Sequence, residues 1–186
     1  MAASPYEIIS GPATVYLAPV ATAMPGISAT PSGGWVSLGY TEGGVTVRKT
    51  QSVELLTVDQ FTGPVKAIRS EEGLEIEFQL AQLTLDNYLK VLNNVTITTG
   101  GSPVSKSGPL HLGFDVSRWA LLVRGPSPYG AWNLQWEVPV VIQQDEPEVS
   151  LVKDDKATLQ CTFVALEDLT AGSDDVRFGN VRAQSA

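Results

Sequence analysis

A strict alternation of apolar and polar side chains along residues 74–80 is the feature that most constrains what this chain can fold into. Apolar residues occupy every second position of this stretch, and Glu75, Glu77 and Gln79 occupy the positions between them. Because successive side chains of a β-strand point to opposite faces, the stretch predicts a strand with one buried face and one acidic, solvated face. Such a strand belongs in a sheet whose core lies on one side.

The hydrophobic period changes directly after this strand. Apolar residues then recur with the i, i+3, i+4, i+7 spacing of an amphipathic helix, at Leu85, Tyr88, Leu89 and Leu92. Thr84 is a suitable N-cap for this segment. We therefore predict a helix over about residues 84–93 that lies on the sheet.

Short apolar stretches separated by turn residues predict further strands elsewhere. The chain has 17 Gly and 12 Pro among its 186 residues, and their spread between these stretches favours short strands over long helices. Residues 14–18, 119–123, 132–143 and 157–166 carry clear strand patterns. The predicted fold class is mostly β with one flanking α-helix.

The charge balance argues against tight nucleic-acid binding. A formal net charge of −8 is combined with Lys and Arg residues that form no cluster able to neutralise a row of phosphates. No apolar run approaches the roughly 20 residues that cross a bilayer, and no basic residue precedes Arg48, so we predict neither membrane contact nor secretion. The single cysteine, Cys161, alternates with apolar neighbours, which predicts a buried thiol in a reducing compartment.

Signatures of catalysis, metal binding and cofactor binding are missing from the sequence. It contains no nucleophile elbow, phosphate-binding loop, dinucleotide fingerprint or zinc-protease motif. Paired carboxylates such as Glu71 and Glu72 occur, but their neighbours are strand edges and turns. We therefore predict that the chain is not an enzyme and uses neither a metal nor a cofactor.

Four tryptophans keep a carbohydrate-binding β-sandwich module open as an alternative. Flat aromatic side chains could stack on sugar rings if they were exposed and coplanar. Trp132, Leu134 and Trp136, however, fall on one face of a predicted strand, which favours packing in the core. The exposure of these side chains in the folded chain distinguishes the two interpretations.

Two parts of the sequence resemble one protein family in both wording and order. The first contains Val-Asp-Gln-Phe-Thr-Gly-Pro at 58–64 and Leu-Thr-Leu-Asp-Asn-Tyr-Leu at 83–89. The second contains Trp-Glu-Val-Pro at 136–139, Leu-Val-Lys-Asp-Asp-Lys-Ala at 151–157 and Phe-Val-Ala-Leu-Glu-Asp at 163–168. Together they are similar to the major tail tube protein of long-tailed, siphophage-type bacteriophages.

This resemblance implies a structural virion protein. It implies a β-sandwich domain over residues 1–168 with an inserted loop at 52–69. The composition of residues 169–186, which is polar with few apolar anchors, predicts a C-terminal arm that orders against a neighbour. Six copies would form a ring whose inner strands join into one β-barrel, and the rings would stack into a tube. The lumen would be negatively charged, so that DNA passes into the host without being held.

Particular residues are candidates for these contacts. The alternation makes Glu75, Glu77 and Gln79 the candidates for the lumen wall. The candidates for the contact with the adjacent ring are the loop residues Val58, Asp59, Gln60, Phe61, Thr62, Gly63 and Pro64. The resemblance assigns no contact to residues 21–34 and 172–186.

The resemblance also implies partners and a location. The partners would be further copies of the chain, the tail tip or baseplate and tail terminator proteins, and the tape measure protein and DNA inside the lumen. The location would be the tail of a virion that is assembled in the host cytoplasm. A related tube or terminator protein of a secretion system or tail is a further alternative.

Overall fold

Strands form most of the regular structure. The computed structural model describes residues 7–94, 96–111, 113–151 and 153–185. In these ranges the strands are β1 (Thr14–Pro19), β2 (Val36–Ser37), β3 (Thr41–Leu56), β4 (Lys66–Leu80), β5 (Thr98–Gly100), β6 (Ser105–Ser107), β7 (Trp119–Pro126), β8 (Asn133–Gln143), β9 (Leu159–Ala165) and β10 (Asn180–Ala183). One α-helix, α1 (Leu85–Val91), and a 3-10 turn (Asp174–Val176) complete the described elements.

Eight of these strands form one antiparallel sheet. Its order is β2-β1-β7-β8-β9-β4-β3, with β10 beside β8, while β5 and β6 form a separate hairpin. The predicted mostly-β class with one helix is confirmed. The sheet is continuous, whereas a sandwich would consist of two facing sheets.

The two ends of this strand order lie close together. Residues 38–40 alone separate Ser37 at the end of β2 from Thr41 at the start of β3, although these strands are at opposite edges of the sheet. Four Cα–Cα steps span at most about 15 Å, so the sheet must curl until its edges approach each other. The result is an incompletely closed barrel, because no ladder joins β2 to β3 within the described residues.

The core fills the inside of the curl. The apolar face predicted for residues 74–80 is confirmed there, because Ile76, Phe78 and Leu80 are all buried. The ring of Phe78 stacks on that of Phe163 in β9 at a centroid distance of 5.8 Å. Cys161 is buried beside them, as predicted, and desolvation raises the pKa of its thiol to about 12.

Helix α1 lies at the corner where the chain crosses from β2 to β3. The Thr84 side chain accepts a hydrogen bond from the backbone N–H of Asn87 at 3.2 Å, which confirms the predicted N-cap. The side-chain amide of the buried Asn87 donates to the carbonyl oxygens of Leu38 at 2.8 Å and Gln82 at 3.3 Å. Asn87 therefore attaches the helix to the crossing segment.

None of the helices in the described residues is long and apolar enough to cross a bilayer.

Half of the predicted loop 52–69 is strand. The β3–β4 ladder continues to the pair Leu56 and Lys66, so that the turn comprises residues 57–65 only. In contrast, β4 pairs with β9 only from Glu75 onwards. The hairpin therefore extends beyond the sheet as a two-stranded arm, defined here as residues 51–72, in which every residue is exposed.

The C-terminal segment contains a strand that pairs within its own chain. Sequence composition predicted that residues 169–186 would order against a neighbour, and this was wrong for β10, which pairs with β8. Gly179 allows the approach, since its φ is +97° and a Cβ atom there would lie 1.8 Å from the carbonyl oxygen of Glu137. The proposed division at residue 168 stays a prediction.

Replacing Asn87 tests how far the fold depends on the crossing at residues 38–40. Asn87→Leu should lower the free energy of unfolding by about 1–3 kcal/mol, because two carbonyl oxygens lose their buried donor. Urea denaturation of the monomer measures this. As a control, Asp86→Ala on the same helix removes an exposed ion pair with Lys106 of β6 and should cost no more than about 1 kcal/mol. Equal losses in the two variants would contradict the role given to Asn87.

Candidate assembly surfaces

The polar face predicted from the alternation lies on the outside of the curled sheet. Glu75, Glu77 and Gln79 point away from the core and stand opposite Val164, Thr162 and Gln160 of β9. On the other side of β4, the partner of Glu75 is Arg48 of β3. This outer face of β3, β4 and β9 is called the polar wall below.

A guanidinium group lies between the two predicted acidic residues of the polar wall. Arg48 donates hydrogen bonds to Glu75 and to Glu77, the latter at 2.6 Å from the carboxylate oxygen Oε1. Asp145 adds a third carboxylate through the Thr162 hydroxyl, which donates to it at 3.1 Å. Three carboxylates thus face one guanidinium, and the wall keeps a negative excess. Sequence analysis missed this role of Arg48, because it depends on the register of a ladder between residues 27 positions apart.

The arm carries an unusual number of exposed apolar side chains. They are Val53, Leu55, Leu56, Val58, Phe61, Val65 and Ile68, and the most exposed is Phe61 at 66%. The candidate residues 58–64 form the tip of the arm, beyond the last pair of the ladder. Contiguous apolar surface of this kind indicates an interaction surface.

Apolar residues occur on both faces of the arm. Val53 and Leu55 continue the core-facing side of β3, whereas Leu56 and Ile68 belong to the opposite side. A hairpin with one solvated face would be polar on that face. The arm is therefore suited to burial on both sides.

An open cleft of about 700 Å³, called the basal cleft below, lies where the arm leaves the sheet. Its apolar lining includes Trp136 of β8 and Phe178 and Val181 of the C-terminal segment. Most of its charged residues are paired with one another: Glu72 binds Lys49 and also Arg69, the latter at 2.7 Å. Hydrogen bonds from these two cations hold the pKa of the exposed Glu72 carboxyl below its usual value.

The segment 21–34, to which the sequence assigned no contact, lies across the outer face of β7 and β8 and is called the strap below. The Arg124 guanidinium donates to the carbonyl oxygens of Ala29 at 2.6 Å and Gly26 at 3.1 Å. Asn133 donates to Ile27 at 2.9 Å, and Gln135 donates to Pro25 at 3.1 Å. The main-chain carbonyl groups of this segment pair with no strand, and side chains of the sheet donate the hydrogen bonds that satisfy them.

Glu137 joins this strap to the C-terminal strand. Its side chain is almost completely buried, and it accepts hydrogen bonds from Gln135 and from Arg182 of β10. Arg182 also donates to the carbonyl oxygen of Pro25 at 3.2 Å. One arginine therefore compensates a buried carboxylate and binds the strap.

The tryptophans do not form a sugar-binding platform. Trp35 and Trp119 are buried, and Trp136 is partly buried in the basal cleft. The prediction that Trp132 packs with Trp136 in the core was wrong, because β8 begins at Asn133 and Trp132 is 43% exposed. One isolated exposed ring gives the carbohydrate-binding alternative little support. Within the residues that the structure describes, no three or more His, Cys, Asp or Glu side chains are grouped to hold a metal.

A curled sheet with an apolar arm and a polar outer wall defines a structural protein built for association with other chains. The chain matches the family model described as "Phage tail tube protein" over residues 1–176, and it therefore belongs to that family. No curated protein was found to match it. Membership makes the chain a structural component of a phage tail, which assembles with its own copies and other tail proteins into a tube.

Removing the guanidinium of Arg182 should release the C-terminal strand and the strap together. Arg182→Leu leaves the buried Glu137 carboxylate without its cation, at a cost of about 1–3 kcal/mol or more. Hydrogen exchange with mass spectrometry should show faster exchange in residues 180–183 and 23–29. The matched control is Arg118→Leu, at an exposed arginine outside this cluster. Unchanged protection of both segments in Arg182→Leu would show that the arginine does not hold them.

Proposed function

We propose that six copies of this chain form a ring, and that such rings stack into the tail tube of a siphophage-type particle with a negatively charged lumen for DNA. The observation that carries the proposal is the arm, whose apolar faces are covered by none of the residues that the structure describes. In an isolated monomer the exposed apolar side chains of such a hairpin contribute no burial energy. In a polymer each copy of the hairpin can be buried against a neighbouring copy.

Ring closure would use the free edge of β3. This strand pairs with β4 alone in the described part of the chain, so its outer edge presents unpaired backbone groups. An unpaired edge is an aggregation hazard in a monomer and a bonding surface in an assembly. A neighbouring copy that adds its sheet to this edge would extend the ladder from chain to chain, and six such joints would produce the ring-wide barrel.

The polar wall would then line the lumen. Glu75, Glu77 and Gln79 lie on the solvated face of the strand that such a barrel would contain, and Arg48 offsets part of their charge. A wall with excess carboxylates repels phosphates and keeps water between the wall and the duplex. DNA, and the tape measure protein before it, would pass without tight binding.

Stacking would depend on the tip of the arm. Residues Val58, Asp59, Gln60, Phe61, Thr62, Gly63 and Pro64 would contact the next ring, and the terminal rings would present their free surfaces to the tail tip or baseplate and to the tail terminator. This interface is closed around the axis and open along it, which is the geometry of a tube. Assembly would take place in the host cytoplasm, where the buried Cys161 stays a free thiol.

Reversing the charge of the polar wall tests the lumen assignment. Glu75→Lys combined with Glu77→Lys leaves Asp145 to face three cations, so phosphates would be held at the wall. Particles should assemble but eject DNA more slowly in vitro, and the delay should shrink as salt rises from about 0.05 to 0.2 M. Glu7→Lys with Asp115→Lys is the control of equal charge change, at exposed positions outside β3, β4 and β9. The same ejection rate in both variants would place Glu75 and Glu77 away from the DNA.

Shortening the arm tests the stacking assignment. Replacing residues 58–64 by Asn-Gly keeps the ladder up to Leu56 and Lys66 and supplies a favoured hairpin turn. We expect an unchanged melting temperature of the monomer and the loss of long tubes in negative-stain electron microscopy. The control is Leu110→Ser, which removes an exposed apolar side chain outside the arm. Long tubes from the shortened protein would remove the arm from the stacking interface.

A further inference from the structure

Two exposed apolar features are left uncovered by the described part of the chain. One is the tip of the arm, with Val58, Phe61 and Val65 exposed. The other is the basal cleft, whose lining includes Trp136, Phe178 and the 60% exposed Val181. A protrusion and a recess on one chain can satisfy each other between copies, and the contact then repeats without closing.

We infer that the basal cleft of one copy receives the tip of the arm of a second copy. The inference rests on the proposed stacking of rings, and it names the surface that binds the tip of the arm. The partner is therefore the chain itself, and the contact is heterologous: the tip of each copy is bound, and its cleft binds the tip of another copy.

The chemistry of the two surfaces is complementary. Residues 57–65 carry one charged side chain, Asp59, so burial of the tip desolvates little charge. Three carboxylates of the cleft are engaged with its own cations: Glu72 binds Lys49 and Arg69, and Glu167 and Asp174 bind Arg177 at 3.1 and 2.8 Å. A tip with a single carboxylate can enter without breaking these pairs. Lys49 and Arg69 share the single carboxylate of Glu72, so the two cations leave one positive charge that can offset Asp59.

The distance between the tip and the cleft of one chain requires two copies for the contact and limits the axial distance between rings. The tip cannot enter its own cleft, because an intact β-ladder from Lys49 to Leu56 separates them. That ladder spans about 24 Å, and the full path from Lys49 to Phe61 spans at most about 41 Å at 3.4 Å per residue. The axial distance between successive rings should therefore not exceed about 41 Å.

Cross-linking of assembled tubes tests the contact. A variant with Phe61→Cys and Val181→Cys is assembled, treated with a short bismaleimide and separated on a denaturing gel. We expect a ladder of covalent multimers, because each copy contributes one tip and one cleft. The native Cys161 is buried, and the raised pKa of its thiol keeps it unreactive.

Matched variants make the outcome specific. Phe61→Cys with Leu151→Cys places the second thiol at an exposed apolar site outside the lining of the cleft, and Phe61→Cys alone has no second thiol. A ladder confined to the Val181 pair supports the inference. Three results would overturn the inference: equal cross-linking through Leu151, no cross-linking through Val181, or an axial repeat well above 41 Å. None of them would contradict the tube function. Failure of the unmodified protein to form rings or tubes at high concentration counts against the tube function itself.

Discussion

The register of the β3–β4 hairpin is the constraint on which the rest of the structure depends. Through it Ile76 and Phe78 enter the core, while Glu75 and Glu77 meet Arg48 on the polar wall. A slip by one residue would exchange the two faces and place carboxylates in the core. The ladder is irregular between Glu42 and Val45, at the start of β3, and between Ser52 and Val53, inside the arm. The pairing of β4 with β9 ends at Glu75, and beyond it the hairpin leaves the sheet as the arm.

Exposure of the arm makes sense only in an assembly. Two-sided apolar strands with free edges tend to associate without control, and a net charge of −8 opposes that association by keeping copies apart. A correct contact must therefore offer enough apolar burial to overcome the mutual repulsion. A recess that accepts a nearly uncharged tip meets this requirement, whereas a flat contact between acidic surfaces does not.

Local patterns predicted the parts of the fold that local forces determine. The alternation along β4 and the Thr84 cap needed only neighbouring residues, and both are present. The loop at 52–69 came from the family resemblance alone, whereas the alternation of Val53, Glu54 and Leu55 already indicates a strand. The strap could not be predicted either, since hydrogen bonds such as that from Arg124 to Ala29, 95 residues apart, have no local signature. The resemblance to tail tube proteins identified the family that these local patterns alone did not.

The C-terminal strand connects two surfaces that otherwise look independent. Because successive residues of a strand point to opposite faces, Arg182 binds Glu137 and the strap on one side of β10, and Val181 lines the basal cleft on the other. The order of the cleft therefore depends on a buried ion pair that lies on the opposite face of the sheet. Any change that frees β10 also removes one wall of the recess, so the folding of the C-terminal segment and the capacity to accept another copy are physically coupled.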